Sequence, residues 1–94
     1  MATRITGRYT GELRTELAHE KSGGQLITDA PTDNHGKGEA FSPTDLLAAG
    51  TLSCMLTVIG IAVQNEQLPK IAAMTGSIEK HMDSSPRHVE RLAV

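Results

Sequence analysis

From Leu46 to Val63 the chain runs for 18 residues without a charged side chain, and this stretch limits what the remaining residues can build. A helix that is apolar on all sides either crosses a membrane or lies at the centre of a protein assembly. Gly50, Thr51, Ser53, Thr57 and Gly60 interrupt the run, Asp45 and Glu66 flank it in place of Lys or Arg, and no Trp or Tyr anchors either end. A spanning helix prefers the opposite on each point, so the buried centre of a soluble assembly is the expectation. A membrane-anchored helix remains the outlying alternative.

The start of that helix is written in Ser42-Pro43-Thr44-Asp45. Ser42 is placed to cap, Pro43 occupies the first turn where a missing N–H is harmless, and Asp45 favours the positive end of the dipole. The helix is expected to run to about Asn65, a length of roughly 33 Å, before Pro69 breaks it. Two short hairpins cannot cover so long an apolar rod. A second copy of the chain is therefore expected to bury it.

Around the helix the sequence reads as two strand-rich arms, giving an α+β class. Leu13, Thr15 and Leu17 alternate with Arg14, Glu16 and Ala18, and Glu20-Lys21-Ser22-Gly23-Gly24 turns the chain into Gln25–Thr28. This is the pattern of a hairpin, to which Ile5 to Tyr9 adds a third strand. Residues 30–41 carry Pro, Asp, Asn, Gly, His and Lys and read as a loop. A second pair of strands is expected from Ile71 to Met82 and from Arg87 to Val94, joined by Asp83-Ser84-Ser85-Pro86. The last strand ends in Leu92-Ala93-Val94 without a stop signal, as though the domain were cut short or another chain continued the sheet.

Composition narrows the function. Ninety-four residues leave no room for two cores, so one domain over 1–94 is expected, with marginal stability unless a second subunit or a metal helps. Nine Lys and Arg against eleven Asp and Glu, with Tyr9 and Phe41 the only aromatics, do not suit a nucleic-acid binder. The N-terminal residues lack the apolar core of a secretory signal, which makes the cytoplasm the expected compartment. A four-residue loop at 83–86 places His81 opposite His88, but two imidazoles are too few for a closed metal site, and neither metal nor cofactor is expected. The single cysteine, Cys54, excludes an internal disulfide framework. It lies eleven residues beyond Pro43, past the reach of the helix dipole, so a reactive thiolate there requires a cation from elsewhere. Without one, Cys54 is a small apolar residue in a helix.

The stretch from Thr28 through His35-Gly36-Lys37-Gly38-Glu39, the Ser42-Pro43 helix start, Leu46-Leu47-Ala48-Ala49 and a cysteine twelve residues after the serine resembles the signature of the OsmC/Ohr family, the osmotically inducible and organic hydroperoxide resistance proteins. The order of strands, long helix and strand pair is similar to the first two-thirds of that family. The resemblance implies an OsmC-like fold in an intertwined homodimer, with the long helices buried at its centre. It also implies thiol peroxidase chemistry on organic hydroperoxides. Cys54 is then the peroxidatic cysteine and Arg14 the cation beside it, placed like the arginine of the hydroperoxide-resistance branch. The acidic partner of that arginine is a Glu in the branch. Thr44 stands at its position here and Asp45, the candidate in its place, follows half a helical turn of rotation away from Cys54, so that Asp45 either caps the helix or serves a site shared between subunits. The family's resolving cysteine lies on a later helix beyond Val94, so a truncated chain, or an external thiol or dithiol as reductant, is implied. The alternative is a non-catalytic dimer in which Cys54 only packs.

Overall fold

The computed structural model describes residues 2–65, 73–84 and 87–94. They form an α+β fold of two antiparallel sheets and one long helix, in the order β1 Ile5–Gly11, β2 Arg14–His19, β3 Gln25–Asp29, α1 Pro43–Asn65, β4 Glu79–Ser84 and β5 Arg87–Ala93. The chain divides into two compact units, Met1–Pro43 and Thr44–Val94.

The first unit is a three-stranded meander with β2 in the middle. β1 and β2 are closed by a two-residue turn in which Glu12 and Leu13 both take left-handed backbone, with φ of 55° and 63°. Consecutive positive φ values match the twist of a hairpin, although Asn-Gly is the usual occupant. Leu13 therefore belongs to the turn and not, as its alternation with Arg14 suggests, to the strand. Its N–H donates to the Tyr9 hydroxyl at 3.2 Å, and its carbonyl accepts from Ala30 at 3.0 Å. At the far end His19 and Gly24 close the β2–β3 turn, with the His19 N–H donating to the Gly24 carbonyl at 2.8 Å. The ladder between them pairs Leu17 with Leu26, Thr15 with Thr28 and Arg14 with Asp29.

Residues 30–41 form a folded loop with a 3₁₀ turn, Thr32–Asn34. The N–H groups of Asn34 and Gly36 both donate to the Pro31 carbonyl at 2.9 Å, and that of Gly38 donates to the Ala30 carbonyl at 3.1 Å. Gly36 lies so close to Ala30 that a Cβ built on it would stand 1.8 Å from the Ala30 carbonyl oxygen. Gly36→Ala is expected to force the loop open and lower unfolding stability by about 3 kcal/mol, to be read from denaturant midpoints.

In the second unit α1 starts at Pro43 and ends at Asn65, matching the expected start and stop. β4 begins at Glu79, later than the run from Ile71 suggests, and Ile71 and Ala72 lie outside the described residues. β5 ends at Ala93, opposite Glu79, so residues 73–78 have no strand to pair with. Instead Gly76 runs beside the Leu52 and Leu56 side chains of α1, and Met74 approaches Gly60. The β4–β5 register also differs from the expectation. Ser84 pairs with Arg87 and Asp83 with His88, because the loop is two residues long, and an irregularity after His81 puts it opposite Arg91. The two histidines are not neighbours, and His88 approaches the Asp83 carboxylate at 3.8 Å.

Burial is scarce throughout. Among the described residues only Ala48 is a buried hydrophobic side chain, and the other buried residues are Thr28, Asp29 and Ser42. On α1 the line Asp45, Ala48, Ala49, Leu52, Leu56, Gly60 and Val63 is at least partly covered, while Leu47, Gly50, Cys54, Val58 and Ile61 face outward. These outward residues recur at spacings of three and four, the repeat of a helix seam that meets another element.

Candidate functional site

Arg14 and Asp29 face each other across β2 and β3, and this strand register builds the site. The Arg14 Nε–H donates to Asp29 Oδ1 at 2.6 Å and its Nη2 donates to Oδ2 at 2.8 Å, a two-pronged contact along one edge of the guanidinium. Nη2 also donates to Glu39 Oε1 at 3.0 Å, and the Glu39 backbone N–H donates to Asp29 Oδ2 at 3.1 Å. Strand β3 and the loop that follows are thus joined through one carboxylate. Asp29 is only 1% exposed, whereas the Arg14 side chain retains 31% of its surface. Outside this group, Lys37 pairs with Glu12.

These contacts set the electrostatics. The hydrogen bond from Arg14, against the opposing effect of burial, holds the Asp29 carboxyl below the usual carboxylate range. The same bond raises Arg14 still further above its ordinary value, so the guanidinium is permanently charged. The hydrogen bond to Lys37 lowers Glu12 in the same way. A carboxyl whose pKa is lower folded than unfolded stabilises the fold above its unfolded pKa, and that contribution is lost as pH falls through the folded value. The fold is accordingly expected to weaken as pH drops below about 4, and Asp29→Asn to flatten that acid limb, as followed by thermal melts across pH.

Cys54 stands alone on the outward seam of α1, exposed in the single chain and with no disulfide. Asp45, nine residues earlier, projects from the opposite side of α1. Its Oδ1 receives Lys80 Nζ at 2.6 Å, and Lys80 also donates to Thr44 Oγ1 at 2.8 Å. These contacts fasten β4 to the first turn of the helix. Of the three residues singled out in the sequence, Arg14 belongs to the first unit and Cys54 and Asp45 to the second. Within that second unit Asp45 is held by Lys80 and turned from the thiol.

Asp29 and Glu39 are the residues that sequence reasoning missed. Counting outward from the His19–Gly24 closure, with each residue of β2 facing its mirror image in β3, lands Arg14 on Asp29, so the signal for one was present. Nothing in the loop composition singles out Glu39. Among the described residues, no group of three or more His, Cys, Asp or Glu could hold a metal. An open depression of about 400 Å³ near Gly7, Leu17 and Leu26 contains the Arg8–Glu16 ion pair but neither Cys nor His.

No family model matches the chain, and no curated protein does. A solved structure does. It comes from Psychrobacter arcticus 273-4 and is provisionally named an osmotic stress induced and detoxification response protein. The identity is 48% and the TM-score 0.85, over 98% of this chain. The chain spans 65% of the length of that protein. The two sheets and the long helix are thus an arrangement shared with an experimentally determined protein. By length and composition alone α1 is also apolar enough to cross a membrane, a test that core helices of soluble proteins pass as well.

Proposed function

We propose that the chain belongs to the OsmC/Ohr family and acts in stress defence as a thiol-dependent peroxidase on organic hydroperoxides, with Cys54 as nucleophile and Arg14 as its cation. The observation that carries this reading is Arg14 itself: a strand arginine, one that would ordinarily sit in solvent, is fixed by a buried carboxylate while its side chain stays 31% exposed. The 48% identity to a protein named for osmotic stress and detoxification supports the same direction.

In the proposed reaction the Cys54 thiolate attacks the outer oxygen of the hydroperoxide. The O–O bond breaks, the S–O bond forms, and the departing alkoxide takes a proton from solvent to leave as an alcohol. Cys54 is oxidised to the sulfenic acid and the peroxide is reduced. An external dithiol then returns the sulfenic acid to the thiol, releasing water and becoming a disulfide. Arg14 stabilises the thiolate and the charge that develops on the leaving oxygen. Neither a metal nor a cofactor enters these steps.

The proposed assembly is a homodimer, located in the cytoplasm. The seam of Leu47, Cys54, Val58 and Ile61 supports a second copy as its cover, since one chain buries so little apolar surface of its own. That same seam favours the second reading, a non-catalytic dimer in which Cys54 is part of the contact. Arg14→Ala separates the two. It is expected to lower the rate of cumene hydroperoxide consumption with dithiothreitol by roughly 10²-fold or more, whereas equal slow consumption by variant and wild type would leave only the non-catalytic dimer.

A further inference from the structure

Two carboxylates hold Arg14, and they do so unequally. Asp29 is buried in β3, opposite Arg14 in the ladder, and takes both Nε and Nη2. Glu39 sits in the loop with its side chain 65% exposed and takes only the second proton of Nη2. The other terminal nitrogen, Nη1, makes no hydrogen bond among the described residues. The edge of the guanidinium between Nη1 and Nη2 is therefore contested only by Glu39. A two-pronged contact from a water-excluded carboxylate fixes the plane of a guanidinium, while one bond from an exposed side chain is readily exchanged.

We propose that Asp29 is the positioning residue of Arg14, and that Glu39 occupies the donor which an incoming hydroperoxide takes over. The second half rests on the peroxidase reading above. The first does not. Asp29 holds the Nε edge whether or not substrate is present, leaving the Nη1–Nη2 edge to face the reacting oxygens. Glu39 yields its place without disturbing that plane, because its own backbone N–H remains bonded to Asp29.

The test pairs a spectrum with a rate. In 15N-arginine-labelled protein, the Nε–H signal that vanishes in Arg14→Lys is expected to exchange with solvent at least roughly tenfold more slowly than those of Arg4 and Arg8. Asp29→Asn should remove that protection, and Glu39→Gln should keep it. In hydroperoxide turnover Asp29→Asn is expected to fall by roughly 10²-fold, as for a misplaced catalytic group, and Glu39→Gln to rise severalfold. A wild-type Nε–H with no protection, or protection lost equally in Glu39→Gln, overturns Asp29 as the anchor, and does so even if Asp29→Asn does not fold. Glu39→Gln turning over no faster than wild type overturns the displacement. If Arg14→Ala and wild type turn over alike, the peroxidase reading and the displacement fall together, while the exchange measurement still decides the anchor.

Discussion

Cys54→Ser is expected to abolish thiol-dependent consumption of t-butyl hydroperoxide, a loss of at least roughly 10³-fold relative to wild type, in a coupled assay with excess dithiol. The size follows from chemistry. A serine hydroxyl is far less acidic than a thiol, is a poor nucleophile toward peroxide oxygen, and has no reversible oxidation state from which a dithiol could restore it. Cys54 is the only cysteine in the chain, so no second thiol can carry residual turnover. The substitution is also gentle on the fold, because Cys54 is exposed in the single chain and the change removes little volume. A Cys54→Ser protein that melts like wild type and still consumes peroxide at the wild-type rate would end the peroxidase reading.

Val58→Glu is expected to act on assembly. In the isolated chain Val58 is 58% exposed and a charge there should change stability by no more than about 0.5 kcal/mol. If the seam is covered by a second copy, the same substitution buries an unpaired carboxylate, with a penalty of several kcal/mol per contact. Because about 1.4 kcal/mol is a factor of ten, the dimer should weaken by roughly 10³-fold or more. Light scattering after gel filtration is expected to show a dimer for wild type and a monomer for the variant at micromolar concentration. The variant's melting temperature should drop, while that of wild type should rise with protein concentration. Identical elution and melting would rule out the outward seam of α1 as the contact.

Much of the architecture was legible where local chemistry is strong. Ser42-Pro43 marks the helix start, the glycine pair after Ser22 marks the β2–β3 turn, and both appear where expected. Leu13 looks like a strand residue in sequence because a hydrophobic residue alternating with Arg14 satisfies strand periodicity. The turn position is decided instead by hairpin closure, which tolerates a leucine in left-handed backbone once Tyr9 and Ala30 hold its N–H and carbonyl. The delayed start of β4 was hidden for a related reason. Alternation describes what a segment can do, while pairing depends on where the neighbouring strand ends, and β5 ends at Ala93. The histidine pair failed by register, since two loop residues instead of four move every facing partner along the ladder. At the candidate site Arg14 was visible as a residue type with a resemblance behind it, as was Cys54 on α1. The role of Asp45 was not, because its partner Lys80 lies 35 residues away in sequence. Glu39 was invisible because only the folding of the loop brings it to Arg14.

The three members of the Arg14, Asp29 and Glu39 group all precede Cys54 in the chain, and every contact among them lies within the first 43 residues. Their strands are joined by short turns, so the pairing is local and forms quickly as hairpins do. The cationic group can therefore form from local pairing alone, without a contact from any residue beyond 43. The charge chemistry of the first unit thus asks nothing of the helix that carries Cys54, and a fragment ending near Pro43 holds every residue needed to build it.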